Sequence, residues 1–214
     1  MAAVTFGHSS GSENAAGATS RTWAHDCTGD DYLIVSVNHR NNPGTSSCTY
    51  NGVSMTLLQL QTASFNWQNF YGLAAPASGS NNIVASWANS VNCGAVGMSF
   101  VNVSSVGTIV TASVSGGAGV DYSATATLAA NDMLAGVTGA PDLPATLSVV
   151  TGTERVEAGT GTDASENGAT NTGVGSVSIT WDYTAADPKT YIALPLVGAV
   201  AAASGSTLAM MGIG

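Results

Sequence analysis

Three histidines, His8, His25 and His39, are the natural general bases of this 214-residue chain, because an unperturbed imidazole titrates near neutrality. His25 stands beside Asp26 and near Asp30, and serines are plentiful, so a Ser-His-Asp triad can be written on paper. A triad is a matter of geometry, which spacing does not supply. We expect no Gly-x-Ser-x-Gly nucleophile elbow that would hold a serine on a strained turn. The three histidines therefore read as polar surface residues near strand ends or loops. Glycoside hydrolysis would need two opposed carboxylates, one of them held protonated. Glu13, Glu154, Glu157 and Glu166 are the only glutamates, and all lie in or beside Gly/Thr/Ser-rich segments. Such segments are poor places to hold a catalytic pair rigidly. No catalytic residue is assigned, and the chain is not expected to be an enzyme.

Asp26, Asp30 and Asp31 cluster around Thr28 and Gly29. A hard cation such as Ca²⁺ takes carboxylate and carbonyl oxygens from a loop of this kind. The full Asp-x-Asp-x-Asp-Gly spacing is missing, so the cluster reads as a solvated acidic turn, and no metal or cofactor site is assigned. Trp23, Trp67, Trp87 and Trp181 could stack on a sugar, but tryptophans on alternating strands fill cores. Trp67 is the exception, because Asn66, Gln68 and Asn69 surround it. Cys27, Cys48 and Cys93 form no metal-binding spacing. Their odd number argues against a disulfide framework, and they read as buried thiols, with a Cys27–Cys48 pair left open.

The chain that must position these groups is poor in charge. It has four Lys+Arg against thirteen Asp+Glu, for a formal net charge of -9. The four cations, Arg21, Arg40, Arg155 and Lys189, are scattered. Nucleic-acid binding needs a basic stripe to neutralise phosphates, so no nucleic-acid partner is expected, nor an anionic membrane. The first residues, Met1-Ala2-Ala3-Val4-Thr5-Phe6, show no secretory signal. The stretch Ile192–Gly214 is uncharged. Pro195, Ser204, Ser206, Thr207 and its glycines, with no flanking anchors, argue against a bilayer span. It reads as a last strand, Tyr191–Val197, and a weakly apolar tail over 198–214.

Period-two alternation runs through the chain and marks strands. In Val177–Tyr183 the residues Val177, Ile179, Trp181 and Tyr183 share one face, as a half-buried antiparallel strand requires. Leu33, Val35 and Val37 make a similar row within Tyr32–His39, as do Ile83, Ala85 and Trp87. Trp67, Tyr71 and Leu73 line a fourth, in Phe65–Ala74. Asn51-Gly52 accepts the positive φ angles of a type I′ hairpin. Pro76, Gly79 and Asn81-Asn82 are expected to break the chain before Ile83–Ala88. Further strands are expected over Gly97–Val103, Thr108–Val114, Tyr122–Leu128, Met133–Thr138 and Thr146–Thr151. Ser9–Ser20 and Glu157–Gly173 are small and polar and read as loops. No stretch has helical periodicity with caps. The expected fold is all-β: an antiparallel two-sheet sandwich of about ten to fourteen strands in a single domain over residues 1–197.

The runs Tyr32–Val37, Thr49–Leu57, Tyr71–Pro76 with Gly79, Ile83–Trp87 and Gly94–Val103 resemble a jelly-roll-like β-sandwich module of phage virion proteins and bacterial surface proteins. The resemblance covers about Tyr32 to Val114, with Val174–Val197 as closing strands. Its motifs are packing and turn residues, so it implies a fold and transfers no catalytic residue. It implies a structural virion protein, a capsid decoration (cement) protein assembled in the host cytoplasm. Its partners would be the major capsid protein or other virion subunits, and its own copies in a homo-oligomer such as a trimer. The alternative it implies is a secreted or surface-displayed carbohydrate-binding or adhesion module.

Overall fold

The computed structural model describes residues 2–114, 121–141, 147–158, 164–183 and 188–199, with the side chains of 13–16 and 147 excepted. The described chain is all-β and antiparallel, and no helix occurs in it. Sixteen strands follow in order: β1 (Thr5–Asp26), β2 (Tyr32–Arg40), β3 (Ser46–Tyr50), β4 (Val53–Ser54), β5 (Thr56–Ala63), β6 (Asn66–Ala74), β7 (Ser80–Val101) and β8 (Val103–Val106). Then come β9 (Val110–Val114), β10 (Tyr122–Leu128), β11 (Met133–Ala140), β12 (Leu147–Thr151), β13 (Thr153–Ala158), β14 (Ser165–Thr172), β15 (Gly175–Tyr183) and β16 (Lys189–Gly198). Beyond β16 the expected tail falls, from residue 200 on, outside the described residues.

The strands form three hydrogen-bonded sheets where two were expected. The first has the order β4-β3-β7-β2-β6-β5 with β1 also on β7, the second β13-β14-β11-β16-β8 with β9 also on β16, and the third β10-β15-β12. The first sheet folds over on itself. Its two 22-residue strands, β1 and β7, pair from end to end, with register shifts between Asn14 and Ser20. Irregular pairing of this kind bends a ribbon. The early half of β7 carries β3, and its later half carries β2. The two leaves close on one core. Trp23, Tyr50, Ile83 and Trp87 come from one leaf; Leu33, Val35, Val37 and Tyr71 come from the other.

A second core lies between the β2-β6 leaf and the second sheet, with Ile34, Phe70, Met98, Val137, Ile192 and Leu194. A third lies between the second and third sheets, around Leu134, Ile179, Trp181 and Tyr191. The molecule is thus a stack of four β layers with three cores, and its two inner layers are covered on both faces. This is why β2 and β11 are buried along nearly their whole length, while β10 and β15 keep the expected alternation. Each large apolar side chain so enclosed contributes about 1.5–3 kcal/mol.

Three sequence expectations are corrected. Ser9–Ser20 is strand, because β1 borrows its regularity from the length of β7. Asn81-Asn82 and the chain from Ile83 to Val101 belong to one continuous β7, since Asn81 and Asn82 pair with His25 and Ala24. Within Glu157–Gly173, residues 159–163 lie outside the described residues. The rest is the end of β13 and the interior strand β14, held by neighbours on both sides. The Asn51-Gly52 hairpin is present, with φ of 49° and 76°.

Candidate functional site

Among the described residues, the expected chemical groups converge at the seam between the two leaves of the first sheet. Ser10 faces Trp23 and His25 there, because the early and late halves of β1 lie on opposite leaves. The turn after β1 adds Asp30. Its backbone N–H donates to Cys27 O at 3.2 Å, and Gly29 takes φ of 80°. The later half of β7 adds Ser99.

These side chains form one hydrogen-bonded chain. Trp23 Nε1 donates to Ser10 Oγ at 3.1 Å. Ser10 Oγ lies 2.8 Å from His25 Nδ1, and His25 Nε2 lies 3.0 Å from Ser99 Oγ. Ser99 Oγ donates to Asp30 Oδ2 at 2.5 Å, and His8 Nδ1 meets the same oxygen at 2.8 Å. One donor order satisfies the whole chain: Trp23 to Ser10, Ser10 to His25, His25 to Ser99, Ser99 to Asp30, with His8 closing on Asp30 from outside. In that order His25 is neutral with its proton on Nε2. Its electrostatics agree. Burial pushes the His25 pKa down to about 4, against the opposing pull of the Asp30 carboxylate.

The arrangement resembles a triad in part. Ser10 is hydrogen-bonded to a neutral imidazole, which is the relation of nucleophile to base. It departs where the third member should be, because His25 meets a serine, not a carboxylate, at its second nitrogen. The letters Gly-x-Ser-x-Gly do occur, at Gly7-His8-Ser9-Ser10-Gly11, contrary to expectation. They lie in the extended run of β1, with no turn into a helix. Their central serine is Ser9, which lies opposite Met98 of β7 and donates to Arg155 O at 2.9 Å, away from His25. The group is a truss that ties two strands and a turn together.

The other candidates are dispersed. Asp26 Oδ1 accepts from Thr28 N and Thr28 Oγ1 at 2.9 and 2.6 Å, and these bonds hold its carboxyl below the usual range. Asp31 Oδ2 accepts from Asn102 N at 2.6 Å. Asp26 and Asp30 thus brace one turn and both face His8, Asp31 is tied to Asn102, and among the described residues no group of three His, Cys, Asp or Glu side chains is placed to hold a metal. Glu154 and Glu157 are exposed on β13, whereas Glu166 is sealed inside. Burial raises the Glu166 pKa to about 8. His39, expected at the surface, is buried edge-on against Trp87, 4.6 Å between ring centres, and burial lowers its pKa to about 3. Cys27, Cys48 and Cys93 are all buried and free. Trp23, Trp87 and Trp181 are core residues, and Trp67 is half-buried. A shallow hollow over β10 and β15 is lined by Ser123, Ser176, Ser178 and Thr180 and holds no ionisable group.

Ser10 and Ser99 were not singled out from sequence. The signal for Ser10 was the alternation His8, Ser10, Ser12 on one face, legible only if Thr5–Asp26 is read as strand.

No family model matches the chain, and no curated protein matches it. Among solved structures it is similar to the ANXUR2 extracellular domain from Arabidopsis thaliana, at 8% sequence identity over 86% of this chain and 83% of that one, with a TM-score of 0.30. A likeness so distant assigns no function.

Proposed function

We propose that this protein is a structural subunit of a phage-like virion, a decoration protein of jelly-roll-like build that stabilises a shell through contacts with coat subunits and with its own copies. The observation that carries the reading is strand β5. It ends the order of its sheet, its eight residues Thr56–Ala63 carry no charge, and Leu57 and Leu60 are 46% and 42% exposed. Sheet edges are ordinarily protected by charge, proline or a bulge that turns them away. β5 has one register shift beside Leu57 and Gln59 and no charge or proline, so it suits association.

Two further features support this reading. The only lysine, Lys189, is fully buried, with its Nζ over the Tyr183 ring at 4.2 Å, which leaves trypsin-like proteases few accessible sites. The candidate catalytic groups are occupied in bonding the fold together. Weak contacts of this kind gain strength by repetition over a shell.

Light scattering of the purified chain, followed by cryo-EM of particles that carry it, tests the proposal. A discrete oligomer and ordered copies at joints between coat subunits are expected. A strict monomer that decorates no particle overturns it. Isothermal titration against a glycan panel tests the rival adhesion reading, and no heat is expected.

A further inference from the structure

The interface between the β2-β6 leaf and the second sheet is apolar over most of its area and polar at one end. On β2 the inward row runs Tyr32, Ile34, Ser36, Asn38, and on β6 it runs Phe70, Gln68, Asn66. Opposite them stand Glu166 of β14, Gly139 of β11 and Thr190 of β16, side by side in register. Ser36, Asn38, Asn66, Gln68, Glu166 and Thr190 are each fully buried.

The amide hydrogens of this seam are all used. Asn38 Nδ2 donates to Ala140 O at 2.9 Å and Ser165 O at 3.2 Å. Asn66 Nδ2 donates to Gly139 O at 2.8 Å and Thr190 Oγ1 at 3.0 Å. Gln68 Nε2 donates to Glu166 Oε1 at 2.9 Å and Ser36 Oγ at 3.2 Å. These bonds fix the orientation of each amide, since a flipped Asn38 or Asn66 would point oxygen at a backbone carbonyl. Four acceptors lie outside every direct hydrogen bond, Asn38 Oδ1, Asn66 Oδ1, Gln68 Oε1 and Glu166 Oε2, and the one hydroxyl proton still to be given, that of Ser36, goes to the Glu166 carboxyl. They belong to neighbouring side chains. Asn38 opposes Gln68 across the ladder, Asn66 follows Gln68 on the same face, and Gln68 is bonded to Glu166.

Buried polar groups are satisfied in native proteins, and each exception calls for an explanation. Protonating Glu166 would supply one donor for the four acceptors. Among the described residues no ion pair joins Glu166 to a lysine or arginine. A set made only of amide and carboxylate oxygens suits a hard cation. Burial favours the acid form of Glu166, so an entering ion displaces its proton, and the single carboxylate so formed neutralises one positive charge. A divalent ion would leave a net charge buried with no counter-ion, which is costly in an interior.

We propose that this seam binds a monovalent alkali cation, sodium or potassium, through Asn38 Oδ1, Asn66 Oδ1, Gln68 Oε1 and Glu166 Oε2. The ligands come from β2 and β6 of the first sheet and β14 of the second, so the ion fastens one sheet to the other.

Thermal unfolding of the full chain in sodium, potassium and tetramethylammonium chlorides at one ionic strength tests this. Linkage predicts a Tm about 5 °C higher at saturating concentration of the preferred alkali ion than in tetramethylammonium, following a single-site curve. The Glu166→Gln variant keeps the shape and removes the charge, and its Tm is expected to lose the dependence on cation identity. The wild-type chain decides the matter if that variant fails to fold. Crystals soaked in thallium(I) should show an anomalous peak among the four oxygens. Equal Tm values for the wild type in all three salts, stabilisation by calcium alone, or ordered water with no anomalous peak would each overturn the assignment.

Discussion

The His25 chain and the Glu166 seam are made of the same kinds of side chain, yet they are opposite solutions to burying polarity. The first lies between the leaves of one folded sheet and reaches solvent at His8, whose side chain is 40% exposed. Donors and acceptors alternate along it, and Asp30 Oδ1 alone is left over. The second is closed between two sheets, and its acceptors outnumber its donors. Burial and shifted pKa values are common to both, so neither property marks a site by itself. The count of donors against acceptors separates a finished internal brace from a place that calls for a guest.

The sharpest test of that contrast uses two glycines that make room for the clusters. A Cβ on Gly139 would lie 2.5 Å from Asn38 Cγ, and Asn38 cannot swing away without releasing Ala140 O and Ser165 O. Overpacking and the loss of those bonds together predict that Gly139→Ala costs about 4 kcal/mol in urea unfolding. A Cβ on Gly7 would meet the Asp30 carboxylate at a still shorter separation. The Asp30 side chain that must give way is itself buried and tied to Ser99, and only its His8 bond opens to solvent, so Gly7→Ala is expected to cost about 2 kcal/mol. Equal costs would erase the distinction between a sealed cluster and an open one.

The His25 chain should also give the protein a dependence on acid. In the unfolded chain this imidazole titrates at 6.5, and in the folded one at about 4. Between those values the unfolded state binds a proton that the native state refuses. Stability is therefore complete above pH 6.5 and declines as pH falls towards 4, by about 3 kcal/mol for this group. His39, also lowered by burial, acts with the same sign. The difference between wild type and His25→Gln isolates the His25 share. Denaturant midpoints measured from pH 7 to pH 4 should converge for the two proteins, and parallel curves would remove His25 from the buried chain.

How much of this was legible in sequence follows from layering. Alternation located β10 as a strand and β15 with the right faces, since their layer has one wet side. Trp181 and Ile179 could be placed in a core from spacing alone. For β2 the same rule gave only half the answer. Leu33, Val35 and Val37 were read as inward, while Ser36 and Asn38 looked like the solvent side and are instead enclosed by the second sheet. A polar residue on a strand buried on both faces has the same local pattern as one in water. β14 hid for the same reason: Ser165-Glu166-Asn167-Gly168 reads as a loop until neighbours on both sides supply its hydrogen bonds. β1 was missed because its small polar residues gain strand order only from β7, about eighty positions later in pairs such as Ser12 and Ala95. The cation-like seam depends on all three of these long-range facts, so nothing local announced it.

The smallest effect is expected at Ser10, and it bears most directly on function. Ser10 accepts from Trp23 and donates to His25, at a half-buried position. Ser10→Ala leaves both partners open, and water can replace the hydroxyl, so a loss of about 1 kcal/mol is expected. Water admitted beside the ring also eases its protonation, and the His25 titration followed by NMR should move up towards 6.5. A brace and a nucleophile part company in a second assay. Against a panel of activated acyl esters, wild type and Ser10→Ala should both be inactive, because the imidazole is backed by Ser99 in place of a carboxylate. Turnover by the wild type that vanishes in Ser10→Ala would make this chain of hydrogen bonds an acyl-transfer site, and the structural reading of the protein would fall with it.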